Sequence, residues 1–170
     1  MLALLSVIMA SAWFYASITD RRELLTPGPV PIQAADGDSF VIAGQKIRLK
    51  GIDALEYGQT CQDATGKIWA CGAEAHKALS SLLNQPGLSC ETENHDRFGR
   101  ALATCFTIKN KDIAAAQVRA GMAVSNEFNG MRDYGEEEDA ARIARSGIWQ
   151  GAFMLPKEWR KQHTHLPSAQ

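Results

Sequence analysis

The stretch I-R-L-K-G-I-D-A-L-E, Ile47 to Glu56, constrains this chain most. Ile47 and Leu49 alternate with Arg48 and Lys50, the period of two expected of a half-buried strand. One face goes to a core and the other carries a guanidinium. Asp53 and Glu56 come where the alternation stops, so a fixed cation stands beside two carboxylates at a strand end. Such a grouping can hold both a metal ion and an anionic ligand. Taken alone it reads more readily as a solvated loop after a strand, because surface charges usually carry no function.

The company of this stretch changes that. Upstream, Asp36-Gly37-Asp38-Ser39 is a turn signal leading into an alternating run from Phe40 to Ile42. Downstream, Asp96-Arg97-Phe98-Gly99-Arg100 precedes the apolar run Ala101 to Phe106. D-G-D-S, R-L-K-G-I-D-A-L-E and D-R-F-G-R-A-L-A, in this order and at this spacing, resemble the staphylococcal nuclease (thermonuclease) family. The resemblance covers about Ile32 to Gly151 and omits the leader and the last residues.

Periodicity alone gives a small α+β domain. Strands are expected at Ile32 to Ala35, Ser39 to Ala43, Lys46 to Gly51, Leu88 to Glu93 and Arg100 to Ile108, with Gly44-Gln45 as a two-residue hairpin loop. Ala75, Ala78, Leu79, Leu82 and Leu83 make one apolar helical face, stopped by Pro86-Gly87. Two more helices are expected, from Asp112 to Ala120 and from Asp133 to Ser146, closing on Gly121 and Gly147. The resemblance turns this into a fold class: α+β, a five-stranded OB-fold (Greek-key β-barrel) with about three α-helices, preceded by an apolar N-terminal leader helix.

The family cleaves phosphodiesters in DNA and RNA with one Ca²⁺, water attacking phosphorus in line. The resemblance implies Asp38 and Asp53 as metal carboxylates and Ala54 as the residue lending the metal its backbone carbonyl. It implies Glu56 as the carboxylate that positions or deprotonates the water, and Arg48 and Arg100 as the phosphate-binding guanidinium groups. The residue types suit these tasks. Ca²⁺ is hard and takes oxygen ligands. A planar guanidinium stays charged and can bond two phosphoryl oxygens at once. Ser39, Leu55, Arg97 and Phe98 depart from the common family pattern without removing a functional group; Leu55 stands where proline is frequent, so a less rigid acidic loop is expected. A rival reading is a non-catalytic OB-fold module binding single-stranded nucleic acid or oligosaccharide at the cell envelope, or a domain recruited to polysaccharide handling. Such a module has no evident need of all five charged side chains together.

Charge and cysteines set the context. The net charge of −1 speaks against a protein whose main business is non-specific binding to duplex DNA, and is compatible with a small site of local positive field. Residues 1–19 contain no charged side chain, long enough for a signal peptide or a membrane anchor. Arg21 and Arg22 after it argue against export of the domain, whereas the cysteines argue for it. The expected organisation is a signal peptide or transmembrane anchor at 1–20, a proline-containing linker at 21–31, the nuclease-like domain at 32–151 and a tail at 152–170 that lies on the domain or at a membrane. Cys61, Cys71, Cys90 and Cys105 form no C-x-x-C motif and allow three pairings. Pairing 61–71 and 90–105 is the economical one and fits an oxidising compartment, periplasmic or secreted; four reduced thiols in the cytosol is the alternative. DNA or RNA is the expected substrate, a membrane the possible second partner, and a monomer the expected state.

Overall fold

The computed structural model describes residues 23–163, so the expected leader helix lies outside the described residues. In chain order the elements are β1 (Glu23–Leu25), β2 (Ser39–Ile42), β3 (Gln45–Leu49), β4 (Ile52–Ala54), β5 (Cys61–Gln62), β6 (Ile68–Trp69), α1 (Cys71–Leu83), β7 (Ser89–His95) and β8 (Ala101–Phe106). After these come α2 (Ile113–Arg119), β9 (Ala123–Ser125), β10 (Glu127–Phe128), β11 (Met131–Arg132), α3 (Gly135–Ile143), a 3₁₀ turn (Gly147–Gln150) and α4 (Pro156–Gln162). No helix among the described residues is long and apolar enough to cross a membrane.

The α+β class is as expected, but the strands do not close into a barrel. Five strands form one sheet in the order β1-β7-β8-β3-β2, parallel between β3 and β8 and antiparallel elsewhere. The chain turns sharply after β3, at Gly51 with φ +78°. Ile52–Ala54 thereby leaves the sheet and pairs with β9, register Asp53 opposite Val124. That side ladder is the site's floor.

Other departures have local causes. The segment Ile32 to Ala35 makes only one bridge, Ala34 to Phe40. Pro29 and Pro31 bring no N–H, and the side chain of Asn84 takes the Ile32 backbone at both ends, accepting from its N–H at 3.0 Å and donating to its carbonyl at 2.8 Å. The fifth strand is instead Glu23–Leu25, from the expected linker; it pairs with β7 and buries Leu25. The β2–β3 loop is Ala43-Gly44, one residue earlier than expected, with both residues at positive φ (50° and 80°), as a tight hairpin turn requires. The described residues hold four α-helices, and α4 lies in the stretch expected as a tail.

Two apolar clusters organise the interior. The larger joins the sheet to α1 and α2 through Phe40, Ile47, Leu49, Leu79, Leu83 and Ile113. Asp112 caps α2, accepting from the backbone of Ala114 and Ala115. The smaller cluster, Leu55, Cys61, Cys71, Ala75 and Ile148, lies under the acidic loop, with Trp149 and Phe153 against it. Disulfides join Cys61 to Cys71 and Cys90 to Cys105, the latter pair directly opposite each other on β7 and β8.

Candidate active site

Asp38 ends a turn wedged between three elements. Asp36 Oδ1 accepts from the Asp38 N–H at 2.9 Å, closing the turn. The buried Gln117 of α2 donates to the carbonyls of Gly37 (2.8 Å) and Ala75 (3.2 Å), tying the turn to α1. Asp38 is 2% exposed, yet both its oxygens are engaged. Oδ1 accepts from Ser39 Oγ (2.7 Å) and Arg48 Nη1 (2.7 Å), and Oδ2 accepts from the Ala54 N–H (3.1 Å). Burial pushes the Asp38 carboxyl up to about 7; the Asp36 charge adds to this, while Arg48 and the donors to Asp38 pull the other way.

Arg48 reaches this point because β3 alternates, sending Ile47 and Leu49 inward and Arg48 to the other face. Its guanidinium also donates to Asp53 Oδ1 (3.0 Å) and to the Ile52 carbonyl (3.3 Å). One cation thus joins the two acids expected to serve a metal. Both are oxygen donors of the kind a hard divalent cation takes, so the pair fits such an ion by donor type, with the Arg48 guanidinium now bonded to both. No group of three or more acidic, His or Cys side chains placed to hold a metal occurs among the described residues. Carbonyl and water oxygens would have to complete the set.

Glu56 stands on a loop fixed from below. Leu55, where a less rigid loop was expected, is fully buried and anchors it, which is worth roughly 1.5–3 kcal/mol. Gln59, also fully buried, accepts from the Glu56 N–H (3.3 Å), and the Gln59 N–H donates to the Glu56 carbonyl (2.8 Å). Gly72, in the first turn of α1, lies so close that an added Cβ would collide with the Glu56 carbonyl oxygen. Gly72→Ala is therefore expected to lower the melting temperature, costing roughly 1–3 kcal/mol as the backbone shifts. An unchanged melting curve would show that the loop yields freely.

Arg100 comes directly after the turn between β7 and β8. Asp96 accepts from the Arg100 N–H (3.0 Å) and from Arg100 Nε (2.8 Å), and Arg100 Nη1 donates to Ser39 Oγ (3.0 Å). Ser39 thus links Arg100 to Asp38. Phe98 at the turn is exposed, with the guanidinium groups of Arg97 and Arg100 at 4.8 and 5.7 Å from its ring centre. Arg48, Glu56 and Arg100 line one cleft of about 1020 Å³, joined there by Lys46, Arg97, Lys157, Arg160 and Lys161, against Asp36, Glu56 and Asp96 as acids. A chain of net charge −1 concentrates its positive charge here. Phe128 is exposed on β10 and is not part of the lining of this cleft, and Tyr57 packs edge-on against His76 at 5.2 Å.

Of the six residues expected at the site, Arg48, Glu56 and Arg100 line this cleft; Asp38 and Asp53 are bonded to Arg48, and Ala54 is joined to them by its N–H bond to Asp38. Arg160 was not anticipated. Its Nη1 donates to Glu56 Oε1 (2.7 Å) and its Nη2 to Asp53 Oδ2 (2.9 Å). Partial burial opposes its charge, but the bonds to Asp53 and Glu56 outweigh that and hold it more firmly protonated. Pro156 ahead of Lys157 to Gln162 signals the helix, since proline favours the first helical turn, but not the direction in which Arg160 points.

A family model described as staphylococcal nuclease homologue matches residues 46–151. The chain is 34% identical over 116 residues to succinoglycan biosynthesis protein ExoI of Rhizobium meliloti (strain 1021), covering 68% of this chain and 61% of that protein. It is 26% identical over 145 residues to protein ParB of Escherichia coli, covering 77% of each. The chain thus spans less than two thirds of the length of the first of these relatives. The matched span carries Arg48, Asp53, Glu56 and Arg100 and takes in more than half of the sequence, so the chain belongs to the staphylococcal nuclease homologue family.

Proposed function

We propose that this protein is a calcium-dependent nuclease that hydrolyses phosphodiester bonds of DNA, RNA or both by in-line attack of water on phosphorus. The observation that carries this is convergence: Arg48, Glu56 and Arg100 come from separate elements to line one basic cleft, and Asp38 and Asp53 are hydrogen-bonded to Arg48 beside it. Asp38 and Asp53, with the Ala54 carbonyl, would hold Ca²⁺, which supplies charge neutralisation at a phosphoryl oxygen. Arg48 and Arg100 bind the phosphate and stabilise the charge that builds on its oxygens in the transition state. Glu56 positions the attacking water and takes its proton.

The two disulfides support an oxidising, extracytoplasmic setting. In the proposed organisation residues 1–20 are a signal or anchor and the domain works as a monomer. A second reading has one observation in its favour: one relative is named for succinoglycan biosynthesis, a polysaccharide context. Paired guanidinium groups suit the charged phosphorus centre of a phosphodiester better than a glycosidic bond, which bears no charge at the atom attacked.

The test incubates the disulfide-bonded protein with single-stranded DNA, RNA or polysaccharide, adding Ca²⁺, Mg²⁺ or chelator. Cleavage of nucleic acid that requires Ca²⁺ and falls at least about 100-fold in chelator is expected. Cleavage undiminished by chelator would remove the metal from the mechanism. Binding of single strands without cleavage under every condition would favour a binding module.

A further inference from the structure

Arg160 lies beyond the span that the family model matches, yet it is bonded to two side chains of the site. We propose that Arg160 is a positioning residue, and that α4 is part of the active site because it delivers this guanidinium to Glu56 and Asp53. The proposal rests on the nuclease reading above.

The contacts that hold α4 in place run to the Glu56 loop itself. The Gln62 N–H donates to the Ala152 carbonyl at 2.8 Å, and Gln59 Nε2 donates to the Met154 carbonyl at 2.6 Å. Gln59 is the residue that also bonds the Glu56 backbone at both ends, so one buried amide couples the loop to the approach of α4. Gly151 fits where an added Cβ would collide with the carbonyl oxygens of Gln62 and Asp63. Pro156 is buried at the helix start, and the Trp159 ring lies over Gly58. The segment is thus tied to the site at several points before Arg160 is reached.

A single guanidinium that spans Glu56 and Asp53 fixes the distance between the group that handles the water and a group offered to the metal. Glu56 Oε1 has a bond from Arg160 at 2.7 Å, and Asp53 is held from its other side by Arg48. A planar fork does this in a way that a flexible ammonium does not. The same charge opposes a cation at Asp53. Removing Arg160 therefore has two effects of opposite sign: a looser Glu56 lowers turnover, while calcium binds more tightly.

The experiment uses the full chain with Arg160→Met and Arg160→Lys. It measures kcat and KM on single-stranded DNA at saturating calcium, calcium affinity by calorimetry without substrate, and melting temperature. Arg160→Met is expected to lose about 100-fold in kcat with KM nearly unchanged, and to bind calcium about tenfold more tightly. Arg160→Lys is expected to recover part of the turnover. A rise in KM with kcat preserved would make Arg160 a substrate contact and overturn the positioning role. A rise in kcat would mean that α4 obstructs the site, which also overturns it. Loss of kcat with calcium affinity unchanged and the melting temperature lowered would reduce Arg160 to a tether for the tail. If the unaltered protein cuts nothing, the nuclease reading fails, and the calcium titration alone decides: tighter binding in Arg160→Met sustains the coupling to Asp53, and unchanged binding ends it.

Discussion

Glu56→Gln is expected to lower kcat about 10²- to 10⁴-fold while leaving the fold and KM nearly intact. The change keeps shape and one carbonyl oxygen, which can still accept the bond now made by Arg160 Nη1 at 2.7 Å. The anchors of the loop are untouched, since Leu55, Gln59 and Gly72 act through apolar burial, backbone hydrogen bonds and close backbone contact. What disappears is the charge that accepts a proton from water. On the proposed mechanism Arg48 and Arg100, not Glu56, hold the substrate phosphate, so KM is expected to move little. Glu56→Asp separates the two parts of the role. It keeps the charge but withdraws it by one methylene, so a loss as deep as that of the glutamine variant would show that placement dominates over basicity. Steady-state kinetics on one defined oligonucleotide, with melting curves beside them, decide the matter. Full turnover in Glu56→Gln would move the proton acceptor to another group and end the role assigned to the acidic loop.

Much of this site was legible in the sequence because its residues sit on local patterns. Arg48 is fixed by strand alternation, Asp38 by a turn signal, Arg100 by the turn that joins two strands. Asp53 and Glu56 need only lie within a few residues of the end of β3. The cysteine pairing came from the same logic, one pair bracketing a loop and the other opposed on neighbouring strands. Arg160 could not be found this way. Its partners lie more than a hundred residues earlier in the chain, and nothing in the run Pro156 to Gln162 distinguishes a cation aimed at a site from one aimed at water.

The closed barrel is an implication of the family resemblance, not of periodicity, which gives only a small α+β domain. In the structure a positive φ at Gly51 turns the chain so that β4 pairs with β9 and the five-stranded sheet stays open. The misplaced first strand does show a limit of periodicity. Ile32 and Ala34 are buried, as a strand pattern suggests, but their backbone is satisfied by Asn84, Ser80 and a single bridge instead of a ladder. Burial was readable there; the partner of each N–H was not.

In calcium-free buffer the stability of this protein is expected to fall as pH rises from about 4 to about 7. Asp38 is the cause. Its carboxyl is pushed up from 3.8 to about 7, chiefly by burial. Between those values the folded protein holds a proton that the unfolded chain has released, so raising the pH favours unfolding. Below 3.8 both states are protonated and there is no penalty; above about 7 both are ionised and the penalty is complete, on the order of 4 kcal/mol. Carboxyls such as Asp63 and Asp139, held low by the Thr65 hydroxyl and by Arg132, act with the opposite sign, but in a window below 3.8. Their effect therefore lies below the interval in which Asp38 acts. A penalty of that size would lower the melting temperature by about 10 °C across the interval. If calcium binds at Asp38 and Asp53 as proposed, it should reverse the trend, because it would favour the folded state and compete with the proton for the same oxygens. Melting curves at several pH values, in chelator and in calcium, test this, with Asp38→Asn as the control whose chelator curve should be flat over the interval. A melting temperature that rises from pH 4 to 7 in chelator, or a slope retained in Asp38→Asn, would free Asp38 of this charge. The expected slope has a functional meaning: the carboxylate that weakens the calcium-free fold at neutral pH is the one whose ionisation a divalent cation would favour most.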